Sequence, residues 1–189
     1  MSMQDLFDMA SESYQKARDL VAKMNAVVSK ANSKFSPEVS YIKLDIIIQY
    51  LLLETSIADG KFSPIEGDFI DKITDSFDII DIFENAPKGM NWKWFAEHRS
   101  FTDIKNTIGK LRKAAQKQMS DFAELFAIVD AATENYDILG ELLGYLGEIA
   151  GCFSRIDGSH DEREVNVATN IVSEYLAKPW LEMMEEVNK

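Results

Sequence analysis

Two stretches of this chain, "SIADGKFSPIEGDFI" at 56–70 and "SRIDGSHDEREVNVA" at 154–168, share the pattern Asp-Gly-x-x-Ser/Asp-x-x-Glu. The first copy holds Asp59, Gly60, Ser63 and Glu66, the second Asp157, Gly158, Asp161 and Glu164. A constant offset of 98 residues also superposes the flanking apolar positions: Leu44 on Leu142, Ile48 on Leu146, Leu51 on Ile149, Phe69 on Val167, Ile73 on Ile171 and Phe77 on Tyr175. A motif that arose by chance would not keep its flanks in phase. The chain therefore reads as carrying a duplicated helix-loop-helix unit, roughly residues 40–78 and 138–176.

Most of the motif is explained by helix ends alone. Gly60 and Gly158 suit the left-handed residue that closes a helix. Ser63 and Asp161 suit the N-cap of the next helix, with Glu66 and Glu164 at the third position completing a capping box, and Pro64 suits the first turn. What capping leaves over is Asp59 and Asp157, negative charges at helix C-termini, where the helix dipole disfavours them. If the two corners meet, Asp59, Glu66, Asp157, Asp161 and Glu164 form a carboxylate cluster that is costly without a counter-charge. A hard divalent cation, calcium or magnesium, takes oxygen ligands of this kind. Neither loop suffices alone as a calcium loop of the EF-hand type. Its first and third ligand positions would fall on Thr55 and Ile57 in one copy and on Phe153 and Arg155 in the other.

The rest of the chain predicts an all-α fold, one helical bundle of about seven helices in a single domain over 1–189. Only 4 Pro and 9 Gly interrupt 189 residues, and no run of alternating Val, Ile or Thr suggests strands. A first helix is expected over Gln4–Lys30 with a stripe of Leu6, Met9, Ala10, Leu20, Met24 and Val27. Ser36 and Pro37 open a second, apolar nearly all round and hence central. A third starts at Pro64 with Phe69, Ile70, Ile73 and Phe77 on one face. Residues 84–101, with Pro87, Gly89, Trp92 and Trp94, read as a connector with one short helix. A long helix is expected from Thr102 to about Glu134, another from Asp137 with Ile138, Leu142, Leu146, Ile149 and Phe153 buried, and a last one from Glu162, interrupted by Pro179.

Two repeats of this motif at helix junctions, in an acidic all-helical chain of this size, resemble the TerB-like tellurite-resistance family over some 15–20 residues around each copy. The resemblance implies a helical bundle with the acidic residues of both copies clustered to chelate a divalent metal. It also implies a non-enzymatic role, with partner proteins, in bacterial stress response or phage defence. Ser63 in place of a second Asp is a departure that lowers the carboxylate count.

The formal net charge of −12 argues against nucleic acid as a partner and favours cations or basic proteins. The acids Asp68, Asp71, Asp75 and Asp78 share one face of the third helix, which reads as solvated or as a dock for a basic partner. Lys105, Lys110, Arg112, Lys113 and Lys117 form a basic stretch suited to intramolecular pairing or self-association. Enzymatic signals are sparse: only His98 and His160 offer imidazole, and Cys152, the lone thiol, reads as a core residue. A metal-dependent hydrolase using the same acids is the enzymatic alternative, and a metal-free interaction module the structural one. A single cysteine, no basic-apolar leader and no unbroken apolar span lead to the expectation of a cytoplasmic protein without a membrane segment.

Overall fold

The structure, a computed structural model of the chain, describes residues 1–31, 37–74, 91–133, 137–158, 161–187 and 189. Among these the fold is all-α, without strands. The helices are α1 (Met3–Ala31), α2 (Pro37–Ser56), α3 (Pro64–Ile73), α4 (Trp92–His98), α5 (Phe101–Ala132), α6 (Ile138–Phe153), α7 (Glu162–Val172) and α8 (Lys178–Val187). A π-helical stretch, Ser173–Ala177, joins α7 to α8 without a break, so these form seven separate rods. The expected Ser36 cap, Phe77, Asp75, Asp78, Pro87, Gly89, Glu134 and His160 lie outside the described residues.

Helix α2 is the axle of the bundle, as its all-round apolar surface requires. Leu44, Ile47, Ile48, Leu51, Leu52 and Leu53 are all fully buried. The polar residues that it buries have partners. Asp45 accepts from the Tyr14 hydroxyl at 2.5 Å. Gln49 donates to Thr74 Oγ1 at 2.9 Å and accepts from Trp92 Nε1 at 3.3 Å, satisfying both ends of its amide. In α1 the buried stripe is Leu6, Phe7, Ala10, Ala17, Leu20, Val21, Met24 and Val28. Met9, expected within it, is exposed.

Acids expected on an open face of α3 instead hold α4 in place. The Asp71 carboxylate accepts from the backbone N–H groups of Trp92 and Lys93, both at 2.9 Å, and so caps α4 from outside alongside its own N-cap, Asn91. Asp68 pairs with Lys72 and Lys93. The helices also touch backbone to backbone at Gly67: a Cβ there would lie 2.6–2.7 Å from Lys93 N and Cα and Trp92 C.

The expected interruption at Pro179 does not occur. Proline lacks the N–H that an α-helix would direct back four residues, and the change of pitch over Ser173–Ala177 lies just ahead of it, so the rod continues. The tail folds back on α5, where Trp180 Nε1 donates to Asp130 Oδ2 at 2.9 Å. Asp130 also accepts from Ile138 N at 2.7 Å and Leu139 N at 3.4 Å, so one carboxylate ties α5, the start of α6 and α8. Asp130→Ala orphans these donors and should cost about 2–3 kcal/mol in urea unfolding. A loss under about 0.5 kcal/mol would mean that water replaces the carboxylate freely.

Part of the basic stretch on α5 is paired within the chain. Arg112 grips Glu54 through two bonds at 2.7 and 3.1 Å, and Lys117 meets Asp121 at 2.7 Å. No helix among the described residues is long and apolar enough to cross a membrane.

Candidate functional site

Each corner of the duplicated unit is made by local chemistry. Gly60 and Gly158 have φ of 93° and 84°, the left-handed conformation that only glycine adopts without strain. Their N–H groups close the turns onto Ile57 O and Arg155 O. At the first corner Ser63 and Glu66 form the expected capping box. Ser63 Oγ accepts from Glu66 N at 3.3 Å, and Glu66 Oε2 accepts from Ser63 N and Ser63 Oγ, both at 2.6 Å.

The second corner departs from that expectation. Asp161 caps α7 by accepting from Arg163 N at 2.8 Å, and its carboxylate is held by the Arg163 guanidinium. The Glu164 side chain, at the third helical position, makes no hydrogen bond to any described residue. Glu164 does not take up the box position that Glu66 holds at the first corner, yet it is buried to the same degree.

Tertiary packing brings the two corners together. Lys61 Nζ lies 2.8 Å from Asp157 Oδ2 and 3.3 Å from Asp59 Oδ2, spanning both copies, while its own N–H donates to Asp59 Oδ1 at 3.0 Å. Glu66 and Glu164 sit beneath this bridge at 3% and 4% exposure. Burial is the main force pushing the Glu164 carboxyl up to about 7, and the negative charges of Glu66, Asp59, Asp157 and Asp161 add to it. Burial likewise raises Glu66, but the Ser63 bonds favour its ionised form and oppose the rise. Hydrogen bonding to Arg163 pulls Asp161 down to about 2. The bond to Asp157, then that to Asp59, holds Lys61 above the ordinary lysine range.

All five sequence-derived positions, Asp59, Glu66, Asp157, Asp161 and Glu164, thus fall in one electrostatic cluster. Two of them are already engaged in caps, Glu66 with Ser63 and Asp161 with Arg163. As the side chains stand, no three of the described acidic, imidazole or thiol groups converge closely enough to hold a metal ion. The donor chemistry nevertheless suits a hard cation: oxygen ligands only, among them the Glu164 carboxylate, on a residue 4% exposed and without a side-chain hydrogen bond to a described residue. Sequence reasoning missed the two cations of the site. Both were marked by spacing, since Lys61 and Arg163 each stand two residues after an acid of the motif.

Other candidate groups are taken up in packing. Cys152 is buried, and burial pushes its thiol up. The His98 ring stacks on Trp94 at 4.6 Å and bonds through Nδ1 to Trp94 O at 2.9 Å. Trp92, from the stretch read as a connector, is 1% exposed in the core. No protein-family model matches this chain, nor does any curated protein or solved structure.

Proposed function

We propose that the paired corners are a conditional divalent-cation site, for calcium or magnesium, in a non-enzymatic helical module. Its role would be that of a regulatory or scaffolding component of a bacterial stress-response or phage-defence assembly in the cytoplasm. The observation that carries the cation part is Glu164: a carboxylate 4% exposed, without a hydrogen-bond partner among the described residues, facing four other acids. Leaving such a group charged and unpaired is costly, and a cation coordinated by it would remove the cost. The biological part rests on the resemblance of the repeated motif to the TerB-like family.

Lys61 makes the site conditional. Its ammonium already bridges Asp59 and Asp157, so a divalent ion must displace it, and its side chain, 54% exposed, is free to swing into water. The competing reading, a metal-free interaction module, takes Lys61 as the permanent counter-ion of a structural corner. It is favoured by the lack of three converging ligands as the side chains stand.

Thermal unfolding in calcium, magnesium or chelator separates the two readings. A cation that binds the folded state raises the midpoint with concentration. Asp59→Asn combined with Asp157→Asn should abolish that rise, and Lys61→Met should enlarge it, with calcium affinity about tenfold tighter by calorimetry. A parent midpoint indifferent to both ions, with Lys61→Met equally indifferent, refutes the cation site and leaves the structural corner.

A further inference from the structure

Helix α5 is polarised along its length. From Ile104 to Ser120 it holds five basic residues and no acid, and from Asp121 to Ala132 three acids and no base. Arg112 and Lys117 are neutralised by Glu54 and Asp121, and Asp130 is buried against the start of α6 and Trp180. Lys113 and Glu124 stay exposed on one face, and neither is in an ion pair with a described residue. Eleven residues apart, they are separated by about 16 Å along the axis and cannot meet within one chain. The same face has two other unpartnered positions. Ile128 is 50% exposed, an apolar side chain that gains by being covered. Gly109 sits inside the helix, where glycine costs about 1 kcal/mol against alanine. A Cβ there would meet no atom within 4 Å, so nothing in its own chain claims the space.

We infer that this face of α5 pairs with the same face of a second copy of the chain, the two helices running antiparallel about a two-fold axis. The register follows from spacing. Lys113 comes four residues after Gly109, and Glu124 four residues before Ile128. A single axis between residues 118 and 119 therefore sets Lys113 against Glu124 of the second copy and Ile128 of the second copy over Gly109. Each contact then occurs twice, as in any isologous interface. Without a Cβ, Gly109 lets the incoming isoleucine rest on the backbone, a ridge in a groove. Near the axis stand Ser120, a small side chain, and Lys117, whose charge Asp121 already offsets. Charge selects this occupant. Both signs lie on one face, so a purely acidic or purely basic partner would satisfy one end and meet like charge at the other. A parallel pairing would set lysine against lysine. The net charge of −12 opposes association overall, which leaves a dimer of modest affinity, with a Kd of about 10–100 μM. The inference does not depend on the cation site.

Sedimentation velocity of the full chain in chelator, from about 5 to about 500 μM, should show a monomer–dimer equilibrium. Lys113→Glu and Glu124→Lys should each weaken it at least about tenfold, because each sets like charge against like at both ends of the interface. Combined in one chain they exchange the two signs, and affinity should return to within about threefold of the parent. Gly109→Leu separates the interface from the fold. Leucine is the better helix former and has open space in the monomer, so the unfolding midpoint of the dilute chain should rise while dimerisation weakens about tenfold. A parent that stays monomeric up to about 500 μM leaves the face to solvent or to a different protein and overturns the inference. A dimer that both single charge reversals leave intact uses another surface and overturns it too. So does a double variant that dimerises no more tightly than the singles, since the register would then be wrong.

Discussion

Glu164→Gln should make the protein more stable at about pH 8 in chelator, by roughly 1–3 kcal/mol, and should at the same time abolish any stabilisation by calcium. In the parent the carboxyl titrates near 7 when folded, against an ordinary value of 4.5. Above about pH 7 the native state holds this group charged and buried, so its destabilising effect is present in full. As the pH falls from about 7 towards about 4.5, the native state takes up a proton that the unfolded chain does not, and stability rises. Glu66, also raised by burial, changes stability in the same direction. Asp161 and Asp68, whose pKa values are lowered, act oppositely: stability they contribute is lost only as the pH falls through the acidic range below that window. The facing cations Lys61 and Arg163 keep their charge throughout.

The glutamine variant should therefore show a much flatter profile between about pH 5 and 8. Urea midpoints at several pH values, with and without calcium, read all of this out. A variant less stable than the parent at about pH 8 in chelator would show that the glutamate has a partner there. A calcium response surviving intact would show that the ion binds elsewhere.

Gly67→Ala is expected to destabilise by about 3 kcal/mol, a large effect for adding one methyl group. Alanine is favoured over glycine within a helix by about 1 kcal/mol, and that gain has to be overcome. Steric conflict outweighs it here. The new Cβ would sit 2.6–2.7 Å from three backbone atoms of Lys93 and Trp92, and backbone cannot swing aside as a side-chain tip does. Either α4 moves off α3, straining the bonds from Asp71 to its N-terminus, or α3 moves and carries the adjacent Glu66 with it. Gly144→Ala, where nothing lies within 4 Å, is the control and should be neutral or stabilising by about 0.5–1 kcal/mol. Similar denaturation midpoints for the two variants would mean that the close α3–α4 crossing does not persist in solution.

Both effects arise where packing reassigned residues whose local role had looked settled. The spacing of Asp68 and Asp71 on one face of α3 is legible in the sequence, but that the face is covered by a seven-residue helix is not, because α4 lies some twenty residues further on. Glu164 occupies the position of a capping-box glutamate. Asp161 instead holds the Arg163 backbone and guanidinium, and Glu164 is buried without the box, neither of which the motif shows. Pro179 marks a helix break by its missing N–H, yet a change of helical pitch just ahead of it keeps the rod intact. Trp180, one residue beyond that proline, is held by Asp130 on α5, a contact between distant parts of the chain.

What the amino-acid order determined alone is whatever depends on neighbours within a few residues. That includes the all-helical class, the buried stripe of α6, the two glycine turns and the first capping box, since periodicity, φ preference and cap bonds all act within about one turn of chain. The repeat determined as well that both corners carry the same acids. Only tertiary structure decided that Asp59 and Asp157, 98 residues apart, share the ammonium of Lys61. It also decided that Glu164 is only 4% exposed, within the field of those acids. The reason is physical: burial and charge-charge distance are properties of how rods stack, and the field at a carboxylate is the sum over every element that stacking brings near.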